Sequence, residues 1–141
     1  MVRKYMKENL VYAKFNRDNF NEIICMDNSK IVGFLIYRIH NSTAWLNKIK
    51  VEKEYRSCGI GKTLLKLFEN DCINSYRKHV EGKFYPEDED GYIVKNFYEH
   101  NGYSVEKDGY ETMIFKNLNN TPLHNTDDIN IMDNLILDDA M

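Results

Sequence analysis

The sequence predicts an α/β protein with a single mixed sheet, in which antiparallel hairpins flank a central parallel pair of strands. Three observations lead to this class. Short runs rich in β-branched and aromatic residues alternate with turn residues, which is typical of strands and hairpins. Two segments, residues 61–76 and 92–100, are predicted as helices, and the first carries apolar side chains at helical spacing. The first of these helices joins two strands across residues 44–85, and such a crossover is right-handed and requires parallel strands.

The first half of the chain predicts three strands. Residues 22–26 and 31–39 form a hairpin around turn residues 27–30. A third strand covers residues 44–51, and strict alternation would divide its side chains between two faces. One face would hold Trp45, Asn47, Ile49 and Val51, and the other Leu46, Lys48 and Lys50. Residues 1–20 are mixed in character, and we assign no element to them.

The second half predicts two helices and three strands. The apolar stripe of the first helix consists of Leu64, Leu65, Phe68, Cys72 and Ile73. A fourth strand over residues 79–85 and an acidic loop at 86–91 follow. The second helix stops at Asn101-Gly102, because both residues tolerate a left-handed cap. Residues 103–107 and 110–116 then close the sheet as a hairpin around Asp108-Gly109.

The packed domain is expected to span residues 1–117, with residues 118–141 as an acidic tail outside it. Five aspartates lie in this tail, and it has no basic side chain other than His124. A short acidic amphipathic helix is an alternative, because apolar residues recur there at helical spacing. They are Ile129, Met132, Leu135 and Ile136. A further hypothesis makes the tail a peptide that docks a partner.

The composition is that of a globular chain, and it disfavours several classes of function. Hydrophobic residues make up 43% and charged residues 29%, so the chain can bury a core. The net charge of −3 lacks the basic excess of a nucleic-acid binder. The longest apolar run, residues 31–37, is too short to span a membrane. Cys25, Cys58 and Cys72 match no metal-site spacing and suit a reducing compartment, so we expect a cytoplasmic protein without a metal.

A glycine-containing loop between the third strand and the first helix has the residue types of a phosphate site. Gly59 and Gly61 would let an anion approach the unpaired backbone N–H groups of the helix start. Arg56 and Lys62 add positive charge beside them. Two common phosphate motifs fail at a glycine that they need. The nucleotide-triphosphate loop meets Arg56 there, and the dinucleotide fingerprint meets Leu64.

The loop does fit the pattern [R/Q]-x-x-G-x-[G/A], and residues 51–65 around it resemble the acetyl-CoA motif of the GNAT N-acetyltransferases. Residues 96–103, Asn-Phe-Tyr-Glu-His-Asn-Gly-Tyr, resemble the second signature of that family. The two signatures lie in the order of the family and on the expected elements, and the resemblance covers residues 22–117. It implies the GNAT fold and the transfer of an acetyl group from acetyl-CoA to an amine.

The resemblance also implies a site for acetyl-CoA. In the family the two central strands splay apart and the pantetheine arm lies between them, here held by backbone groups near Ile49 and Val51. Backbone N–H groups of the loop would hold the pyrophosphate. The loop residues implied in binding are Arg56, Ser57, Cys58, Gly59, Ile60, Gly61 and Lys62.

The chemistry implied is direct attack of a neutral amine on the thioester in a ternary complex. A backbone N–H of the third strand would stabilise the charge that develops on the carbonyl oxygen. Tyr98 occupies the usual position of the family's proton donor to the leaving thiolate. A phenol with an ordinary pKa of about 10 is protonated at neutral pH and can serve as a general acid.

The general base is less well defined by the sequence. Glu81 is the candidate, because it is the carboxylate inside the predicted fourth strand. Asn47 could orient a water molecule instead but cannot take a proton. Weaker candidates are Glu52, Glu54 and His100. Cys58 is not expected to act as a nucleophile, because no His/Asp pattern accompanies it.

The chain departs from the family pattern at two places. Gly91 stands where many members have an asparagine that helps to position the cofactor. Only residues 1–21 precede the first hairpin, where members carry a strand and helices that wall the acceptor site. The acceptor site would then be open, shared with the second subunit of a homodimer, or suited to a protein amino group as well as a small amine. A GNAT-fold module that binds CoA without catalysis is the alternative function.

Overall fold

A computed structural model of the protein describes residues 9–84, 91–109 and 111–132. In chain order its elements are β1 Leu10–Asn16, β2 Asn21–Asp27, β3 Lys30–His40, β4 Thr43–Val51, α1 Ile60–Asn74, β5 His79–Phe84, α2 Gly91–His100, β6 Ser104–Asp108 and β7 Glu111–Asn117. The strands form one sheet in the order β1-β2-β3-β4-β5-β7-β6. β4 and β5 run parallel, and the other neighbouring strands run antiparallel. The predicted mixed sheet with a central parallel pair is confirmed.

β1 lies in the region to which the sequence assigns no element. A turn joins it directly to β2, with the Arg17 N–H donating to the Phe20 carbonyl at 2.8 Å. The two strands pair along their whole length, from Leu10 opposite Asp27 to Asn16 opposite Asn21. Residues 17–20 alone separate the two strands, so no helix lies between them.

β4 carries a β-bulge at Asn47, and the bulge makes the predicted alternation of its side chains wrong. The pairing of β4 with β3 skips Asn47 between Leu46 and Lys48. Because one extra residue is inserted, the side chains beyond it exchange faces. Ile49 therefore shares a face with Leu46, and not with Trp45 as alternation predicts.

Helix α1 covers one face of the sheet and contacts β2, β3 and β4. Its buried apolar side chains are Ile60, Leu64, Leu65, Leu67, Phe68 and Cys72, close to the predicted stripe. The helix ends in a Schellman motif, in which the Arg77 N–H donates to the Cys72 carbonyl at 2.8 Å and the Tyr76 N–H to the Ile73 carbonyl at 3.1 Å. No helix in the described ranges has the length and apolar character needed to cross a bilayer.

Helix α2 lies beside the start of α1. A Cβ atom placed on Gly61 would come within 3.0 Å of the Phe97 ring, so the two helices approach closely at this point. α2 also ends in a Schellman motif, around Gly102 at a φ of 88°. The predicted stop at Asn101-Gly102 is confirmed.

Residues 118–132 pack against the domain, and for them the expectation of a tail outside it is wrong. Leu118 is fully buried, and its N–H donates to the Lys78 carbonyl at 2.7 Å. Further on, Ile131 bridges to Tyr12 at the free edge of β1. Apolar side chains at 118, 129 and 131 join the core, although the sequence around them is polar. Residues 129–132 are not helical, and residues 133–141 of the alternative amphipathic helix lie outside the described residues.

Candidate active site

A cleft opens where β4 and β5 diverge. The two strands pair from Thr43 opposite His79 to Leu46 opposite Gly82, and the pairing ends there. A cavity of about 860 Å³ begins beyond that point, between residues 47–51 of β4, residues 83–84 of β5 and helix α2. The bulge residue Asn47 stands at its apex without a register partner on either neighbouring strand.

The loop before α1 forms one wall of the cleft. Gly59 is the N-cap of α1 and has a left-handed backbone with a φ of 84°. The N–H groups of the first helical turn point out of the helix start, where an anion can accept from them. Gly61 lines the cleft and also has a packing role, because Phe97 lies where its side chain would be. Its missing Cβ serves the packing of α2 against α1.

Positive charge lines the cleft. Its cationic side chains are Lys48, Lys50, Arg56, Lys62 and Lys83. Among the described residues that line it, none is an aspartate or a glutamate. The Arg56 side chain is held by its Nε, which donates to the Val51 carbonyl at 3.2 Å. This charge distribution suits a ligand that carries several phosphate groups.

Tyr98 also lines the cleft, on α2, and is 4% exposed. Three aromatic rings surround it: Phe84 at 5.8 Å, Phe97 at 5.5 Å and Tyr103 at 5.5 Å between centroids. Burial alone raises the pKa of its phenol well above the ordinary value of 10.0. The phenol is therefore a donor throughout the physiological pH range.

Nine of the eleven residues singled out in the sequence line the cleft. They are Ile49, Val51, Arg56, Ser57, Gly59, Ile60, Gly61, Lys62 and Tyr98. Cys58 and Glu81 do not. Cys58 packs against the hydrophobic core, which explains why a small apolar side chain occupies this loop position. Glu81 stands in register between Trp45 of β4 and Phe115 of β7, on the face opposite α1.

Of the weaker base candidates, Asn47 lines the cleft, and its Oδ1 accepts from Arg38 Nε at 3.3 Å. The exposed side chains of Glu52, Glu54 and His100 do not line it.

Sequence reasoning missed several residues that shape or line the cleft. Gly82 lies at the last paired position before the strands diverge, and a Cβ atom there would lie 2.6 Å from the Leu46 carbonyl oxygen. A glycine in the middle of a predicted strand is a signal of close backbone approach that could have found it. Lys48, Lys83 and Phe84 line the cleft, but only the bulge and the divergence of the strands place them there.

The sequence of the chain matches the family model of the acetyltransferase (GNAT) domain over residues 18–105. Among curated proteins, no sequence matches it. Similar solved structures include the PaiA N-acetyltransferase of Thermoplasma acidophilum in complex with coenzyme A, which is 24% identical with a TM-score of 0.64 over 70% of this chain and 61% of that one. A putative streptothricin acetyltransferase of Bacillus anthracis in complex with acetyl coenzyme A is 21% identical with a TM-score of 0.59, over 71% of this chain and 63% of that one.

The chain thus spans less than two thirds of the length of these two proteins, and the likeness to them shows the fold. The family model covers more than half of the chain, and both of the signatures found in the sequence lie wholly within its range. The protein is therefore a member of the GNAT acetyltransferase family.

Proposed function

We propose that the protein transfers an acetyl group from acetyl-CoA to a primary amine, by direct attack of the amine in a ternary complex. The observation that carries this proposal is the cationic cleft between β4 and β5, which is lined by a helix N-terminus and by a buried phenol, Tyr98. Each of the two features suits a different part of the co-substrate.

Backbone groups of the loop and the adjacent strand would bind acetyl-CoA. The pyrophosphate would accept hydrogen bonds from N–H groups at residues 58–62, with Arg56 and Lys62 supplying charge. The pantetheine arm would lie along Ile49 and Val51, where β4 has separated from β5. This arm carries amide groups, so it can pair with the strand as a neighbouring strand would.

The acetyl end would then reach the apex of the cleft. The backbone N–H next to the bulge at Asn47 is suited to the developing oxyanion, and one such donor contributes roughly 3 kcal/mol to catalysis. Tyr98 would donate its phenol proton toward the leaving sulfur as general acid. Its raised pKa keeps the proton in place until charge develops on the sulfur, at some cost in driving force for full transfer.

The amine must lose a proton before or during attack. No carboxylate lines the cleft among the described residues, so direct removal of this proton by Glu81 is not supported. Glu81 could act only through water, from the face on which it neighbours Trp45. Asn47, which lines the cleft, would orient such a water molecule at the apex.

The lack of a carboxylate among the cleft residues that the structure describes favours a second candidate function, a GNAT-fold module that binds CoA for regulation or assembly. The two candidates share the cofactor site and differ in turnover. Thermal unfolding in the presence of acetyl-CoA, CoA, ATP and NAD tests the shared site, because a ligand at 100 times its Kd adds about 2.7 kcal/mol of stability. Stabilisation by ATP or NAD but not by CoA would overturn both candidates.

Turnover with a panel of small amines and peptides separates the two candidates. We expect acetylated product and free CoA in equal amounts from the wild-type protein. Tyr98→Phe should lower kcat by at least roughly tenfold, since general acids contribute about 10²–10⁴ in rate. An unchanged kcat in this variant would remove Tyr98 from the mechanism, and binding without any turnover would favour the CoA-binding module.

A further inference from the structure

A buried carboxylate outside the cleft gathers donors from three parts of the chain. Glu69 of α1 is 2% exposed. Its oxygens accept from the Tyr103 hydroxyl at 2.7 Å, from Lys116 Nζ at 3.0 and 3.2 Å, and lie 2.8 Å from His124 Nε2. We refer to these four residues as the Glu69 cluster. A carboxylate this deeply buried is stable only when it is paired and hydrogen-bonded. Here Lys116 supplies the ion pair, and all three neighbours lie within hydrogen-bond distance of the Glu69 oxygens.

The cluster continues into the end of α2. Lys116 Nζ also donates to the Asn101 carbonyl at 2.9 Å, which satisfies a free carbonyl just past the helix C-terminus. A cation at this end also interacts favourably with the helix dipole. The Lys116 side chain crosses Gly102 so closely that a Cβ atom there would lie 3.2 Å from Nζ. One ammonium group therefore ties α1 to the last turn of α2.

The last turn of α2 is the part of the helix that carries Tyr98. The Schellman motif joins the Tyr103 N–H to the Tyr98 carbonyl at 3.0 Å, and the two rings are in contact. Tyr103 is in turn held through its hydroxyl by Glu69, and Lys116 Nζ lies 5.0 Å from the centre of the Tyr103 ring. Within the cluster, Tyr103 contacts Tyr98 directly, and Glu69 and Lys116 are linked to it through Tyr103. His124 is linked to it through Glu69 and Tyr103.

We propose that the Glu69 cluster positions the Tyr98 phenol in the cleft, with Lys116 as the central positioning residue. The proposal rests on the proposed function for its kinetic consequence. Lys116 and His124 lie beyond residues 18–105, the range of the family model, so the cluster uses residues outside it. Residues 118–132 contribute through His124, whose backbone is held by both groups of the Asn70 amide at 2.8 and 3.0 Å.

Loss of the Lys116 ammonium is expected to loosen the last turn of α2 and let the Tyr98 ring shift. Catalytic groups are sensitive to such shifts, because a displacement of about 1 Å can lower a rate by up to 10²-fold. None of the hydrogen bonds given above for the Glu69 cluster reaches the loop at residues 56–62 that would bind the pyrophosphate. Lys116→Met should therefore lower kcat by roughly tenfold and leave the KM for acetyl-CoA within about twofold.

A double-mutant cycle separates positioning from general stability. If Lys116 acts through the Tyr98 phenol, Lys116→Met should lower kcat by less than about threefold in a Tyr98→Phe background. Equal effects in both backgrounds would overturn the proposal. Lys95→Met is the matched control, because Lys95 is also paired with a glutamate, Glu99 at 3.1 Å, but on the exposed side of α2. It should leave kcat unchanged.

Tyr103→Phe provides a milder variant in case Lys116→Met does not fold. It deletes one donor to Glu69 and keeps the ring against Tyr98, so kcat should fall by about threefold without a change in KM. Lys116→Arg should retain most of the wild-type kcat, because it restores the charge that pairs with Glu69. A kcat for Lys116→Arg as low as that of Lys116→Met would contradict a role of the ion pair.

A readout without turnover keeps this proposal separate from the proposed function. In protein labelled with carbon-13 tyrosine, the Tyr98 ring signal is identified by its loss in Tyr98→Phe. Lys116→Met should shift this signal, and Lys95→Met should not. An unmoved signal in Lys116→Met would overturn the positioning role even in an active enzyme. A shifted signal in a protein that acetylates no amine would support the positioning role and overturn the proposed function.

Discussion

Ser57 and Gly59 both adopt left-handed backbone in the loop before α1, at φ values of 75° and 84°. An L-residue with a Cβ atom is strained there by about 1–2 kcal/mol, and glycine is not. Nothing lies within 4 Å of a Cβ placed on Gly59, so this glycine is required by its backbone alone. The requirement at Gly61 is the opposite, because there the space is filled by Phe97.

Gly59→Ala should therefore lower the free energy of unfolding by about 1 kcal/mol, entirely through backbone strain. Urea unfolding measures this loss. Ser57→Gly at the neighbouring left-handed position is the matched control and should raise stability by up to about 1 kcal/mol. A Gly59→Ala variant as stable as the wild type would show that the loop does not hold this conformation.

Single residues also mark the limit of what sequence could predict at the site. The two signatures identify the loop and Tyr98, because both depend on residue types at fixed spacing. Glu81 is a candidate base from the sequence because it is a carboxylate in a strand, but strand periodicity alone does not say which face borders a cleft. Gly82 was missed because its constraint is the Leu46 carbonyl oxygen of another strand, which local sequence does not reveal.

The sequence predicts helices well, because the spacing of apolar residues and the cap residues lie within the element itself. It does not predict features of strands that depend on pairing with a neighbouring strand. The stripe of α1 and the stop of α2 follow from spacing and cap residues. The bulge at Asn47 depends on the register between β3 and β4, and alternation in one strand carries no information about an inserted residue. β1 is likewise fixed by its pairing with β2 over seven residue pairs, and its own sequence does not distinguish strand from helix.

The end of α1 offers a test at the scale of one element. Tyr76 occupies the left-handed position of its Schellman motif with a φ of 62°, and is 79% exposed. Glycine is the favoured residue at such a position, and little burial is lost when this side chain is removed. Tyr76→Gly should raise the free energy of unfolding by about 1 kcal/mol. Tyr76→Ala keeps the Cβ strain and should bring no comparable gain in the same urea experiment.

At the scale of the whole molecule, the packed domain includes residues 118–132, which the sequence predicts to lie outside it. Residues 118–132 are acidic and polar on average, and composition does not show that a few apolar side chains reach the core. Leu118 is fully buried, and Leu123 in the same segment is 54% exposed. The segment also supplies His124 to the Glu69 cluster, so its packing bears on the proposed active site.

Leu118→Ala should lower the free energy of unfolding by about 2–5 kcal/mol, the usual cost of a buried leucine. Leu123→Ala is the matched control in the same segment and should change it by less than about 0.5 kcal/mol. Urea unfolding of both variants tests whether this segment belongs to the cooperative unit. Equal and small effects would place the segment outside it, as its composition predicts.

Stability at alkaline pH depends on the molecule as a whole, because several buried thiol and phenol groups are protonated in the folded protein. Burial raises the pKa of the Cys25 thiol to about 11 and that of Cys72 to about 12, from 9.0. Burial also raises the phenol pKa above 10.0 in four tyrosines: Tyr12, Tyr37, Tyr98 and Tyr103. The unfolded chain releases these protons at the ordinary values, so above pH 9 it binds fewer protons than the folded protein. The stabilisation is therefore complete below pH 9, and the free energy of unfolding should fall steadily as the pH rises above it.

Urea unfolding at pH values above 9 measures how steeply the free energy of unfolding falls with pH. Tyr37→Phe should make this fall less steep, because it removes one titrating group. A stability that stays level to pH 11 would contradict the burial of these groups.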